Sequence, residues 1–231
     1  MKITVLNGNM RHGSTWNSMN MLVGEISKRC ETEVTEFFLP RDMPHFCAGC
    51  FSCLLKGEET CPHASSVAPI LTAILDADLI ILTSPVYAMD VSGALKALLD
   101  HLCFMWMSHR PDPRMFGKVG VVITTTAGAG LGHTVKTMKN SLTFWGVKKV
   151  YAMKNAVAAS KWEDVREETK AKIQKQAEVA ARKIVKSAGH TGKVSSPLFR
   201  TFFMGMMRGM MRKNTWNPTD RKHWVQQGWI N

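Results

Sequence analysis

Cysteines crowd into one short segment of this sequence. Four of the six lie in the spacing Cys47-x2-Cys50-x2-Cys53-x7-Cys61. The two short gaps let three thiolates face one corner of a small inorganic cluster, and a proline follows the last cysteine, as in ferredoxin-type iron–sulfur ligation. We therefore expect these four cysteines to hold a [4Fe–4S] cluster. Zinc bound by the same thiolates with His63, a redox-active dithiol pair, and a loop without metal are the alternatives.

A second segment with binding chemistry follows the first predicted strand. Residues 8–17 are rich in small hydroxyl and amide side chains and lead into a predicted helix. They contain neither the G-x-G-x-x-G dinucleotide fingerprint nor the nucleotide-binding P-loop motif. Backbone N–H groups at a helix N-terminus, with hydroxyls around them, form an anion site. A phosphomonoester fits there, with Arg11 as counter-charge; an ordinary capped turn is the alternative.

Two further loops follow buried strands and let backbone approach a flat ligand closely. They span residues 84–93 and 124–130, and the second contains Gly128 and Gly130. In open parallel sheets, ligands bind beyond the carboxyl ends of the strands. We therefore expect all three loops to contribute to one site, although a flexible turn would also explain the two glycines.

The predicted elements alternate between strand and helix along the chain. Strands are expected at 3–7, 32–39, 79–83, 118–126 and 147–153. Helices are expected at 15–29, from Pro69 to 76, from an Asp90 cap to Leu102, from about 132 to 144, and from a Ser160–Glu163 capping box to Gly189. Two of the strands are apolar throughout, which is typical of a parallel sheet covered on both faces. The sequence predicts an α/β fold with five strands.

Composition and charge narrow the class of protein. The chain has 231 residues, 45% of them hydrophobic, and no apolar run of about 20 residues that could span a membrane. Its N-terminus begins with a strand pattern and has no signal-peptide pattern, so we expect a cytoplasmic protein. The net charge is +12, which favours acidic partners. No nucleic-acid-binding motif accompanies the charge, so nucleic acid is not expected as a partner.

The loop sequences resemble those of a known family. The matching elements are the Gly-x-x-Arg-x-x-Ser-type loop at 8–17, Ser84-Pro85-Val86-Tyr87 with the helix after it, and the Thr-Thr-Ala-Gly-Ala-Gly loop. Over roughly residues 1–155 the chain resembles the flavodoxin-like NAD(P)H-dependent FMN reductases and, more narrowly, the iron–sulfur flavoproteins. The resemblance implies a flavodoxin-like, doubly wound, five-stranded parallel sheet that binds FMN, within a domain spanning 1–189.

The resemblance also implies a set of cofactor-binding residues. It places the FMN phosphate at Asn9, Arg11, Ser14, Thr15, Trp16 and Asn17. It places the isoalloxazine ring against Pro85, Val86, Tyr87, Ala88 and Met89 on one loop and against Thr126, Ala127, Gly128 and Gly130 on the next. This sequence has Asn9 where the family usually has serine, and Trp16 where a small hydroxyl residue is common. The cysteine loop at 44–63 resembles the compact motif of iron–sulfur flavoproteins, with a longer final gap.

Three functions are compatible with these residues. The first is an FMN-dependent oxidoreductase that takes hydride from NAD(P)H and reduces a small acceptor such as a quinone, nitro compound or flavin. The second is an iron–sulfur flavoprotein that receives electrons from ferredoxin through the cluster, since an acidic ferredoxin suits a basic surface. The third is a redox regulator that senses through its cysteines. The sequence shows no Ser/His/Asp elbow and no carboxylate pair, so hydrolysis is not expected.

The C-terminal extension, residues 190–231, is basic and rich in methionine and aromatic residues. Arg200, Arg208 and Arg212 are expected to share a helical face. A membrane-surface helix and a substrate lid are alternatives, but we expect an arm that clamps a neighbouring subunit in a homodimer or homotetramer. In that arrangement the basic residues lie at the rim of the subunit interface. The apolar side chains buried in the interface are Phe199, Phe202, Phe203, Met206, Met207 and Met210.

The other cysteines and the histidines show no additional site in the sequence. Cys30 lies at a predicted helix end and Cys103 on an apolar helix face, so both are expected to be inert packing residues. The eight histidines lack metal-site spacing such as H-E-x-x-H. We expect each of them to be a surface or capping residue.

Overall fold

A computed structural model describes residues 1–188 and 198–231. Five parallel strands form one sheet in the order β2-β1-β3-β4-β5. Their bounds are β1 Lys2–Asn7, β2 Glu33–Phe38, β3 Leu79–Pro85, β4 Val119–Thr126 and β5 Lys149–Ala156. This order reverses direction between β1 and β3, as expected of a doubly wound sheet. The predicted α/β architecture is confirmed.

Eight helices accompany the sheet in the described residues. They are α1 Ser14–Ser27, α2 Ser52–Leu55, α3 Ala64–Asp76, α4 Gly93–His101, α5 Leu131–Phe144, α6 Glu167–Ala188, α7 Leu198–Arg212 and α8 Pro218–Gln226. Side chains of α1 and α6 pack on one face of the sheet, and side chains of α3, α4 and α5 pack on the other. Because both faces are covered, β3 and β4 are buried almost throughout. None of the described helices is long and apolar enough to cross a bilayer.

Three helix starts differ from the sequence prediction. Ser92, not Asp90, caps α4 by accepting a hydrogen bond from the backbone N–H of Leu95. Helix α3 begins five residues before Pro69, whose missing N–H is tolerated because this side of the helix faces solvent. Helix α6 begins at Glu167, because the segment containing Ser160 instead forms a loop at the edge of the sheet.

The C-terminal helices pack partly on the same chain. Arg200 of α7 is buried and donates to the carbonyl of Phe116 at 2.8 Å. Arg200 therefore does not share an exposed face with Arg208 and Arg212, which corrects the prediction of three basic residues at a rim. A small apolar cluster joins α7 to the segment around α8 and consists of Met207, Met211, Trp224 and Ile230. The predicted helix end at Gly189 and domain boundary at 189/190 lie outside the described residues.

Of the side chains expected to be buried in the arm, Met207 is buried within this chain. Phe203 is partly buried and lies edge-on to Phe144 at 5.3 Å between ring centroids. Four others remain exposed in the single chain: Phe199, Phe202, Met206 and Met210. Fewer apolar side chains of α7 are therefore exposed to a second subunit than the six that the sequence predicts.

Candidate functional site

A cavity of about 260 Å³ opens at the carboxyl edge of the sheet. The loops after β1, β3, β4 and β5 surround it, which is the position expected of a ligand site in a doubly wound fold. Its lining consists of Asn9, Arg11, Gly13, Ser14, Thr15, Pro85, Val86, Tyr87, Thr125, Thr126, Ala127, Val157, Ala159 and Ser160. The three loops singled out in the sequence thus meet at one place.

The loop after β1 presents an anion site to the cavity. The N-cap position of α1 is Gly13, which has no side chain to cap the backbone N–H groups of the first turn. That turn also contains no acidic residue. The backbone N–H groups of the first turn are therefore available to an anion, and the helix dipole favours negative charge there. Arg11 adds a guanidinium, which the carbonyl of Ser160 holds at 2.7 Å.

Close packing holds the loop after β1 against the rest of the sheet. The backbone N–H of Gly8 donates to the carbonyl of Thr83 at 2.8 Å, and the Ser92 hydroxyl donates to the carbonyl of Gly8. A Cβ at Gly8 would lie 2.6 Å from that Thr83 oxygen, so only glycine fits. At the start of α1, the Thr15 and Thr125 hydroxyls share a buried hydrogen bond of 2.6 Å.

The loops after β3 and β4 contact each other directly. Ala88 and Met89 have positive φ angles of 47° and 70°, which form a tight turn at the end of the loop after β3. Gly130 has φ 90°, and a Cβ there would lie 2.5 Å from Val86 and 3.2 Å from the Cα of Met89. Asp90 links this turn to α5 by accepting a hydrogen bond from the Thr137 hydroxyl at 2.8 Å.

Nine of the fifteen predicted cofactor residues line the cavity, and six do not. Trp16 stacks on the His12 ring, and its indole N–H lies 3.3 Å from Glu36. The Asn17 amide donates to the carbonyls of His12 and Gly13, so it shapes the loop. The remaining four belong to the loops after β3 and β4 but do not line the cavity: Ala88, Met89, Gly128 and Gly130.

The sequence reasoning missed five lining residues: Gly13, Thr125, Val157, Ala159 and Ser160. Three of these follow β5, whose predicted end at residue 153 was too early. The strand continues to Ala156, and its alternating burial carries the chain to the cavity mouth. The position of β5 as an edge strand beside β4 is the information that would place its C-terminal loop at this site.

The four cysteines of the loop at 44–63 interact electrostatically. Burial raises the pKa of Cys61, and the nearby thiols of Cys53, Cys50 and Cys47 raise it further. A hydrogen bond from Ser52 lowers the pKa of Cys50. Among the described residues, the close group of potential metal ligands contains Cys61 with two histidines and does not contain Cys47, Cys50 or Cys53, so the fold does not gather the four thiols around one point. Thiols are nevertheless the donors that iron–sulfur clusters and soft metal ions take.

Cys103 is not merely a packing residue, contrary to the sequence expectation. It donates a hydrogen bond to Cys53, and this bond together with the charge of Arg110 lowers the pKa of Cys53 to about 6. The same bond and burial raise the pKa of Cys103. The structure thus favours a thiolate at Cys53, the form that ligates metals.

A buried ion pair connects the cysteine loop to the C-terminal helix α8. Arg110 donates to the Asp220 carboxylate at 2.8 Å, to the carbonyl of Leu54 at 3.0 Å, and also to the carbonyl of Cys53. The Asp220 side chain is fully buried and also lies 2.8 Å from His109 Nδ1. The sequence analysis missed this arrangement because the two partners are 110 positions apart.

Three histidines lie close together at the cysteine loop, and one of them, His101, is buried, which corrects the expectation that every histidine is a surface or capping residue. His63 Nδ1 and His101 Nε2 are 2.9 Å apart, and the His45 ring stacks on His63 at 4.4 Å. The ligating atoms of Cys61, His63 and His101 all lie within 4.8 Å of one another. The H-E-x-x-H type of spacing is local in sequence and does not detect a group brought together by the fold.

Comparisons with known proteins agree with this architecture. An iron–sulfur flavoprotein of Archaeoglobus fulgidus is 27% identical over 149 residues, which is 64% of each chain. One from Methanocaldococcus jannaschii is 29% identical over 135 residues, which is 58% of this chain and 66% of that protein. The matched segments thus span about two thirds of the length of these relatives.

Solved structures show the same fold at low sequence identity. An azoreductase from Bacillus anthracis superposes with a TM-score of 0.61 at 15% identity, covering 79% of this chain and 99% of that one. The apo form of an NADH:FMN oxidoreductase superposes with a TM-score of 0.54 at 17% identity, covering 84% and 92%. These likenesses support the doubly wound architecture.

The sequence profile described as NADPH-dependent FMN reductase matches residues 1–164, well over half of the chain. Those residues include β1 to β5 and every loop that lines the cavity. The resemblance stated from the loop sequences is confirmed. The chain belongs to the NADPH-dependent FMN reductase family.

Proposed function

We propose that this protein is an FMN-dependent NAD(P)H oxidoreductase. The observation that carries the proposal is the cavity at the carboxyl edge of the sheet, with the open first turn of α1 and Arg11 on one side and two interlocked loops on the other. Family membership and the names of the structural neighbours, which include an FMN complex of an azoreductase, support it.

The residues present fit FMN in two parts. The first-turn N–H groups of α1, the hydroxyls of Ser14 and Thr15 and the Arg11 guanidinium would bind the phosphate. The backbone from Pro85 to Met89 and from Thr126 to Gly130 would face the ring. When bound, FMN supplies the hydride chemistry, and the protein supplies orientation and electrostatics.

Access to the site suits a second, transient ligand. Tyr87 lines the cavity and is about half exposed, as is Met89 in the same loop, so a nicotinamide ring or a small acceptor can approach on this side. We propose that NAD(P)H delivers hydride there and that the acceptor, a quinone, nitro compound or flavin, then occupies the same place. Hydride transfer through flavin requires no acid or base from the protein, because the cofactor carries the chemistry.

Reconstitution tests the cofactor proposal. The protein is expected to bind about one FMN per chain, measured by quenching of flavin fluorescence. Arg11→Gln is expected to weaken FMN binding by about ten- to hundredfold, because a charge-assisted hydrogen bond contributes about 1.5–3 kcal/mol. Riboflavin, which has no phosphate, should bind equally to both proteins, and the distant Lys28→Gln variant should behave as the original. Preference for FAD, or equal loss of FMN and riboflavin affinity, would contradict the proposed placement.

The cysteine loop supports a second proposal, a [4Fe–4S] cluster held by Cys47, Cys50, Cys53 and Cys61. Its support is the spacing of the four cysteines in the sequence, the lowered pKa of the Cys53 thiol beside Cys103 and Arg110, and the iron–sulfur flavoprotein name carried by both relatives. In this function a ferredoxin would dock on the basic surface and pass electrons through the cluster to the flavin.

Iron analysis of anaerobically purified protein tests the cluster. We expect about four irons and four sulfides per chain and a broad visible absorption beyond the flavin bands. Changing Cys50 to serine should abolish iron retention and leave FMN binding intact, since the flavin loops are separate from this loop. Cys30→Ser, on the other side of the sheet, is the matched control. Loss of iron from both variants, or the absence of iron from the original protein, would refute the assignment.

Assembly, domain organisation and location are further proposals. The exposed apolar side chains of α7 would contact a second subunit in a homodimer or homotetramer, and the molecular mass in solution measures that oligomeric state.

We propose residues 1–189 as the flavin-binding domain and 190–231 as an extension. We also propose a cytoplasmic location, because cysteines clustered for metal or redox chemistry are typical of reducing compartments.

A further inference from the structure

Cys61, His63 and His101 form a compact group where the cysteine loop meets α4. Their ligating atoms lie within 4.8 Å of one another. His101 is buried, with 3% of its surface exposed, whereas Cys61 and His63 are half-buried at the start of α3. The buried His101 imidazole thus lies beside Cys61 and His63, which belong to a partly exposed segment.

The donor types match the preferences of Zn²⁺. Zinc takes thiolate sulfur at about 2.3 Å and imidazole nitrogen at about 2.0–2.1 Å in a tetrahedral arrangement, so neighbouring donors lie roughly 3.3–3.7 Å apart. The three donors lie within 4.8 Å of one another, and the two histidine nitrogens are 2.9 Å apart, so metal binding requires the nitrogens to separate slightly and any longer distance to shorten by about 1 Å. Three protein ligands leave the fourth position open to water.

The hydrogen bonds of His101 already orient it as a ligand. Its Nδ1 donates to the carbonyl of Ala97 at 2.7 Å, which leaves Nε2 as the nitrogen with a free electron pair. Metal-binding histidines commonly donate their other ring N–H to a backbone carbonyl in this way. At present Nε2 accepts the hydrogen bond from His63 Nδ1 at 2.9 Å.

We propose that Cys61, His63 and His101 bind a divalent transition-metal ion, Zn²⁺ above all, when the cysteine loop carries no cluster. Binding would release the Cys61 thiol proton to solvent, and the His63 proton would move through solvent from Nδ1 to Nε2, which frees the Nδ1 electron pair for the metal. No electron is transferred. Because Cys61 has one thiolate, this ion and a cluster held by all four cysteines exclude each other.

Zinc titration of the full-length, iron-free protein in competition with a chromophoric chelator tests the proposal. We expect one Zn²⁺ per chain in the original protein. The Cys47→Ser/Cys50→Ser double variant should retain it within about threefold in affinity. Cys61→Ser, His63→Ala and His101→Ala should each weaken it by at least about tenfold, a loss already typical of a missing second-shell partner. His133→Ala, which removes an exposed histidine far from the group, is the matched control.

Cobalt(II) supplies a readout that does not depend on affinity. The Co²⁺-loaded protein should show the thiolate charge-transfer band with the intensity of one cobalt–sulfur bond, and the band should disappear in Cys61→Ser. It should persist in Cys47→Ser/Cys50→Ser. If the double variant loses the ion while both histidine variants keep it, or if the band has the intensity of four sulfur ligands, the four cysteines bind the metal and the proposal is overturned. Failure of the original protein to bind Zn²⁺ also overturns it. FMN binding in the same samples shows separately whether the flavin proposal holds.

Discussion

Replacement of Asp220 by alanine is expected to lower the free energy of unfolding by about 3–5 kcal/mol, because it removes the buried carboxylate partner of Arg110 and leaves only the more exposed Glu58, 3.1 Å away. Arg110 is nearly buried, and the Asp220 side chain is fully buried. Arg110 also binds the carbonyls of Cys53 and Leu54, so we expect the cysteine loop to lose order together with the pair. Urea unfolding measures the first effect, and limited proteolysis within 44–63 measures the second.

The control for Asp220 is Asp76→Ala, which removes an ion pair of similar geometry at the surface. Asp76 lies 2.7 Å from Lys2, and both side chains are at least half exposed. Exposed pairs contribute little to stability because water and salt screen them. We therefore expect Asp76→Ala to unfold at nearly the same urea concentration as the original protein. Equal stability losses in the two variants would contradict the role given to the buried pair.

Gly8→Ala is expected to weaken both the fold and the flavin site. The new methyl group would lie 2.6 Å from the carbonyl oxygen of Thr83 and 2.9 Å from the Ser92 hydroxyl. Because backbone atoms must move to relieve this contact, we expect a loss of about 1–3 kcal/mol in unfolding free energy. The displaced loop carries Asn9 and Arg11, so FMN affinity should fall as well. Thermal unfolding and flavin titration measure the two effects.

Gly24→Ala is the matched control for Gly8. It lies in α1 on the exposed side, and a Cβ there meets nothing within 4 Å. A helix-interior glycine replaced by alanine gains about 0.5–1 kcal/mol, so this variant should be more stable and bind FMN as before. A Gly8→Ala protein as stable as the original would show that the loop after β1 can shift freely.

Local pattern was enough to predict the sheet and three of its four ligand loops. The runs at 79–82 in β3 and 119–123 in β4 have no polar side chain to face solvent, so they had to lie inside a covered parallel sheet. The carboxyl-end loops then follow from topology. Ser160 was misassigned because its capping-box pattern is local, whereas its actual contact, the hydrogen bond from Arg11, is 149 positions away in sequence.

Long-range pairing explains the rest of what the sequence did not predict. Arg110 and Asp220 meet across 110 positions, and His63 meets His101 across 38. Neither pair has a spacing rule, because which loops approach each other depends on how α4 and α8 pack. The sequence also gives no sign that Arg110 and Asp220 are buried, since arginine and aspartate are usually exposed.

The contact between Gly130 and the turn at Val86 and Met89 has a thermodynamic consequence. Two loops that pack against each other, with Asp90 hydrogen-bonded to α5, already hold their shape before any ligand arrives. A ligand that enters such a site does not have to freeze loop conformers, so little conformational entropy is lost and more of the contact energy appears as affinity. For the FMN proposed above, we expect such preorganisation to slow dissociation, so that the cofactor stays bound through many turnovers.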